Sequence, residues 1–184
     1  MYEFKVDSAK LIIKLGDITD EETDAIVNSA SASLMGGGGV DGVIHQKGGP
    51  AILSECIEIR KTLPEGLPAG EAVITNSGKL KTKKVIHTVG PVWRGGDKQE
   101  PALLRKAYFN SLLVAKKNGI RTISFPSLST GAFGYPVKFA AKIAVKSIID
   151  FIRLEDSLDC VVIVIFHEND LIEYVNAVKE FLKD

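Results

Sequence analysis

Short β-branched runs alternate along this chain with longer stretches whose apolar residues recur every three or four positions. The runs 11–15 (LIIKL), 25–28 (AIVN), 72–75 (AVIT), 85–89 (VIHTV), 122–125 (TISF) and 160–166 (CVVIVIF) read as strands. The last is apolar throughout, the pattern of a strand covered on both faces. Between them, residues 39–63, 100–118, 137–154 and 168–182 carry helical periodicity. Gly119 stops the second of these, Pro136 precedes the third, and Glu168, Asn169 and Asp170 mark the start of the fourth. Such alternation implies an α/β fold. The expected architecture is a three-layer α/β/α sandwich whose central sheet is mixed but largely parallel, with about six strands. Residues 1–184 show no repeat, low-complexity tract or linker and read as a single domain.

Composition narrows the function classes. Lys plus Arg equals Asp plus Glu at 23 each, so no global field draws the chain onto a polyanion. Lys79, Lys81, Lys83 and Lys84 form one local basic cluster, which reads as a solvated turn and leaves nucleic acid disfavoured as a partner. No apolar run reaches the roughly 18 residues needed to span a bilayer, and no charged-then-apolar leader opens the chain, so a cytoplasmic location is expected. Cys56 and Cys160 lie far apart in unlike contexts and read as buried thiols in a reducing compartment. His45, His87 and His167 are scattered, with no HxxxH or CxxC spacing, so neither a metal nor a redox cofactor is expected.

In folds of this kind the ligand sits beyond the carboxyl ends of the strands. Asp17 follows the first predicted strand. Asn28 ends the second and opens NSASASLMGGGGVDGVIH (28–45), and SLSTGAFGY (127–135) follows the strand 122–125. Four consecutive glycines are costly to order, which points to something that must approach bare backbone. Two glycine-bearing loops that lead into helix N-termini would together clamp an anion such as phosphate. The P-loop pattern fails because no lysine follows the glycines until Lys47. Gly37, Gly39 and Gly42 satisfy GxGxxG formally, but they lie past the strand end and no acidic strand end follows where the ribose carboxylate belongs. No GxSxG elbow is present, and Cys56 in a helical pattern reads as core.

Taken in order, GDIT (16–19), DAIVNSASASLMGGGGVDGVIHQKGGPAI (24–52), GEAVIT (70–75), KKVIHTVGPVW (83–93) and FPSLSTGAFGYP (125–136) resemble a macrodomain over essentially the whole chain. The quadruple glycine followed by Val40-Asp41-Gly42 and Ile44-His45 is most similar to the MacroD-type branch, which includes the bacterial O-acetyl-ADP-ribose deacetylases. The resemblance implies an ADP-ribose site. Asp17, with Ile18, would read the adenine amine, although an aspartate here also suits a turn cap. Asn28 would hold the distal ribose. Gly36, Gly37, Gly38, Gly39 and Val40 would wrap that ribose and the diphosphate. Ser127, Ser129, Thr130, Gly131, Ala132 and Phe133 would form the second phosphate loop, Phe133 or Tyr135 being the aromatic beside the ribose.

The resemblance also implies chemistry. Asp41, favoured in its charged form at a helix start, would activate or orient water. His45, four residues on along the same face, would assist it or serve only as a hydrogen-bonded structural group. The expected reaction is hydrolysis of an acyl ester of ADP-ribose, either O-acetyl-ADP-ribose or a mono-ADP-ribosylated Glu or Asp side chain. A reader that binds ADP-ribose or ADP-ribosylated protein without turnover is the alternative. RNA-associated regulation is a third, weaker reading, and the balanced charge opposes it.

One position departs from the family pattern. Where the family has Asn-Ala-Ala-Asn, this chain has Asn28-Ser29-Ala30-Ser31, so Ser31 replaces the second asparagine of the catalytic set Asn28, Ser31, Asp41 and His45. A hydroxyl lacks the amide's two-ended reach. Losing that bond costs about 0.5–1.5 kcal/mol, on the order of tenfold in rate. Ser31→Asn is therefore expected to raise ester hydrolysis about tenfold, measured as ADP-ribose release; an unchanged rate would mean that the hydroxyl is competent or uninvolved.

Overall fold

The computed structural model describes residues 1–183; Asp184, the last residue of the expected domain, lies outside them. Seven strands form one sheet: β1 Tyr2–Val6, β2 Ala9–Leu15, β3 Ala25–Ser29, β4 Ala72–Asn76, β5 Lys84–Thr88, β6 Thr122–Phe125 and β7 Cys160–Ile165. Their spatial order is β1-β2-β7-β6-β3-β5-β4. The inner strands from β2 to β5 pair in parallel, while β1 and β4 close the two edges in antiparallel fashion. Five helices cover the sheet: α1 Gly39–Gly48, α2 Pro50–Lys61, α3 Glu100–Lys117, α4 Val137–Leu154 and α5 Glu168–Phe181.

Side chains on the central strands alternate strictly between two cores. Val161, Ile163 and Ile165 of β7 face the core built with α3, α4 and α5, whereas Val162 and Val164 face the smaller core of α1 and α2. Ala25 and Val27 of β3 divide from Ile26 in the same way. A strand with two buried faces has no polar side to show, which is why β7 reads as an unbroken apolar run. Helix α4 buries Ala141, Ala144, Val145, Ile148, Ile149 and Ile152 along one stripe and packs against both α3 and α5.

The sheet has one strand more than the expected six or so. Strand β1 is an edge strand whose residues are mostly exposed, so it lacks the apolar content that marks the others. A turn at Asp7-Ser8 holds it to β2, with Val6 opposite Ala9. The helix expected over 39–63 is two helices. Gly49 adopts φ +78 and ψ −174, and Pro50 then begins α2. Proline has no N–H to continue the ladder and drives the residue before it out of the helical region. Of the basic cluster, Lys83 pairs with Asp24 and Lys84 donates to Asn76, as befits a solvated turn. Among the described residues, no helix is long and apolar enough to cross a membrane.

The backbone angles of Gly49 are essentially reserved for glycine. Gly49→Ala is expected to cost about 1–3 kcal/mol, read as a lower urea midpoint with an unchanged slope. A midpoint equal to wild type would show that the junction tolerates a side chain.

Candidate functional site

Strand β3 delivers Asn28 to the carboxyl end of the sheet, and the chain then runs through the glycine stretch into α1. Asp41 sits in the first turn of α1 and is only 4% exposed. Its carboxylate has three neighbours able to donate. Asn28 Nδ2 donates to Oδ1 at 2.8 Å, the Ser31 backbone N–H donates to Oδ2 at 3.3 Å, and His45 Nε2 lies 3.4 Å from Oδ1. The catalytic set expected from the sequence is thus brought together around one carboxylate. The Ser31 hydroxyl does not itself meet Asp41; it bonds Ser33 Oγ and the Gly36 carbonyl and so shapes the start of the glycine loop.

Two strips of backbone carry unused donors. The N–H groups of residues 36–40 make no hydrogen bond among the described residues, nor do those of residues 129–133. Successive free N–H groups beside a helix start form a concave anion site. The two strips converge on a groove of about 440 Å³, where Gly39 and Val40 meet Thr130 and Gly131, with Asp17 and Ile18 at its rim. At Gly38, nothing in the protein lies within 4 Å of where a Cβ would stand. Packing within the protein therefore does not explain that glycine. Gly42 differs, since a Cβ there would meet the Gly37 carbonyl oxygen at 2.4 Å.

Two hydroxyls of the second loop, those of Ser127 and Thr130, are already engaged. Ser127 Oγ bonds Tyr174 Oη at 2.5 Å and accepts from Thr130 Oγ1 at 2.7 Å. Ser129 is buried with φ +66, its Oγ packed where a Cβ on Gly90 would fall. Ser129 Oγ has no partner among the described residues, while the amides of this loop form the longer run of unused donors. Ala132 is exposed and Phe133 half-buried, whereas Tyr135 is buried against Trp93 with ring centroids 4.6 Å apart, so Phe133 is the more exposed of the two aromatics.

At the rim, Asp17 takes the turn-cap role that the sequence offered as one of its two readings. It caps the 3₁₀ turn Ile18–Asp20 through the Thr19 N–H, and its other oxygen takes Lys47 Nζ at 2.9 Å. Partial burial pushes its carboxyl upward, but the bonds from Thr19 and Lys47 hold it below the usual carboxylate range. Phe166, expected as the last strand residue, lies just past β7, 74% exposed, and lines the groove together with His167 and Asp170. An aromatic at the end of an apolar strand was the available signal for it. Asn28, Ser31, Asp41, His45, Gly36–Gly38, Ser129, Ala132 and Phe133 are not part of the groove wall; the Asn28–Asp41 pair stands behind the glycine loop.

The model of the Macro domain family matches residues 27–144, more than half of the chain. The chain belongs to the macrodomain family. A relative from Citrobacter koseri named O-acetyl-ADP-ribose deacetylase is 54% identical over 144 residues, covering 78% of this chain and 81% of its own. The Oceanobacillus iheyensis macrodomain with ADP superposes with a TM-score of 0.95 at 41% identity, over 99% of this chain and 96% of that one. The Trypanosoma brucei macrodomain in complex with ADP-ribose gives 0.83 at 38% identity, over 91% of this chain and 68% of that one.

The macrodomain topology also gathers residues that sequence spacing kept apart. His87 on β5 stands in register with Asn28 and is fully buried, and with His45 and Cys56 it places three metal-capable atoms within 4.8 Å of one another. Both His87 nitrogens are already committed, Nδ1 to Asn28 Nδ2 at 3.1 Å and Nε2 to Thr75 Oγ1 at 2.9 Å. Burial pushes the Cys56 thiol up to about 11. One histidine and one protonated thiol do not make a zinc shell.

Burial, reinforced by His45, pushes His87 down from 6.5 to about 3. As pH falls below 6.5 the unfolded chain gains a proton there that the native protein refuses, so stability present at neutral pH is lost on acidification. The contribution approaches about 1.4 kcal/mol per pH unit below pH 6. The urea midpoint should drop from pH 7 to pH 5 in wild type and drop less in His87→Gln; equal drops would show that His87 is charged in the fold.

Proposed function

We propose that this macrodomain binds ADP-ribose in the groove and hydrolyses its acyl esters, with O-acetyl-ADP-ribose as the first substrate to test. The observation that carries this reading is the juxtaposition of two strips of free backbone N–H groups with a buried Asn28–Asp41 pair behind one of them. The names and ligands of the relatives point the same way. The diphosphate would lie between the strips, the adenine at the Asp17 and Phe166 end, and the distal ribose under residues 36–40.

Asp41 would then orient a water against the ester carbonyl and accept its proton as the oxygen adds. Collapse of the tetrahedral adduct breaks the acyl carbon–oxygen bond, releases the carboxylic acid, and returns a proton to the ribose oxygen. An ester is already activated, so positioning and one base contributing ~10²–10⁴-fold suffice. A ribose ester to a Glu or Asp side chain presents the same bond, and mono-ADP-ribosylated protein is a second substrate class. The alternative is a reader without turnover. The near-complete burial of Asp41 and the serine at position 31 favour it.

Incubating the protein with O-acetyl-ADP-ribose should release ADP-ribose, and Asp41→Ala should lower the rate ~10²–10⁴-fold while ADP-ribose still binds by calorimetry. Binding without turnover in wild type would leave the reader. Absence of both would end the proposal.

A further inference from the structure

His87 has no part in the esterase reading, yet its two ring nitrogens link the Asn28–Asp41 pair to Thr75 on the edge strand β4. Its neighbours fix where its proton lies. Thr75 has one hydroxyl hydrogen, which goes to the Asn76 carbonyl at 2.9 Å. With that hydrogen so placed, Thr75 Oγ1 accepts from His87 Nε2, 2.9 Å away and nearer than the Cys56 thiol at 3.9 Å. A neutral imidazole carries a single N–H, which leaves Nδ1 a bare acceptor. Burial keeps the ring neutral across the physiological range.

The Asn28 amide completes the series. Its nitrogen must face Asp41, because a carboxylate oxygen only accepts. One hydrogen goes to Asp41 Oδ1 at 2.8 Å and the other points at His87 Nδ1 at 3.1 Å. From Asn76 through Thr75, His87 and Asn28 to Asp41, each bond then has a defined donor. One acceptor is left over: Asn28 Oδ1 is buried and has no partner among the described residues. A buried polar atom without a partner calls for a ligand or water to satisfy it.

We propose, building on the esterase reading, that His87 is a positioning residue whose Nε2–H tautomer, pinned by Thr75, locks the Asn28 amide with its nitrogen on Asp41 and its oxygen presented to a hydroxyl of the distal ribose. The other tautomer, or the imidazolium, sets an N–H against the Asn28 NH₂. Donor then faces donor, and the amide must turn away from Asp41 or leave a buried group unpaired. Asn28 consequently meets the ribose as an acceptor only, and His87 acts on the chemistry without touching substrate.

His87→Leu keeps apolar bulk in the buried site and removes the acceptor; His87→Asn keeps an acceptor near the place of Nδ1. The leucine variant is expected to lower kcat for O-acetyl-ADP-ribose about tenfold or more, with ADP affinity unchanged because ADP has no distal ribose. The asparagine variant should recover most of the loss. Wild-type kcat in the leucine variant overturns the proposal, as does a parallel fall in kcat and ADP affinity that asparagine does not rescue. If the leucine variant does not fold, long-range ¹H–¹⁵N spectra of the wild-type imidazole decide the matter. The Nε2–H tautomer held from pH 5 to 8 supports the proposal, and an Nδ1–H tautomer or a titrating ring overturns it. Those spectra need no turnover, so wild-type protein that releases no ADP-ribose would end the esterase reading separately.

Discussion

A carboxylate removed from water must find replacement donors, and Asp41 finds them in the local architecture. Asn28 reaches it from the end of β3, and the Ser31 N–H reaches it as the chain leaves that strand. The first turn of α1 adds a favourable dipole. Breaking any of these would leave an unmatched buried acceptor, so the strand end, the loop and the helix start are bound to one geometry. The Asn28 amide is fixed in turn by His87, whose own orientation is set by Thr75.

The same region leaves other groups deliberately unmatched. Backbone N–H groups in two runs of five, 36–40 and 129–133, have no protein partner among the described residues, and Gly37, Gly38, Gly39, Gly131 and Ala132 in those runs are exposed. The contrast between the donors gathered on Asp41 behind the glycine loop and the open donors along it separates scaffold from candidate ligand surface. A Cβ at Gly38 or Gly39 would meet open space and not protein, and Gly39 also holds a φ of +57 that favours glycine.

The central sheet makes this possible. Parallel strands all end on the same side, so β2, β3, β6 and β7 release their following loops at one rim. Burial on both faces by two unequal cores keeps those strand ends rigid, and the hydroxyl series Thr130–Ser127–Tyr174 ties the second loop to α5 behind it. Rigid ends are what allow the free amides to be preorganised for charge.

Much of this was legible in one dimension. Period and β-branching marked the buried strands and the long helices, because a side chain's two-sided or one-sided burial leaves its repeat in the sequence. The glycine run and the loop after β6 could be read as a candidate anion clamp from residue type and place, whereas Asp41 came forward only through the family resemblance. Strand β1 could not, since an edge strand held by backbone pairing writes no apolar pattern, and Gly49-Pro50 was hidden inside a periodicity that both helices share. Nor could His87 be linked to Asn28, 59 positions away: strand register, a property of the assembled sheet, makes them neighbours. The sequence determined which groups are available to bind and react, through local chemistry. Only the tertiary structure decided which hydrogen-bonding groups are satisfied by the protein and which remain open, because that depends on partners the chain brings from far away.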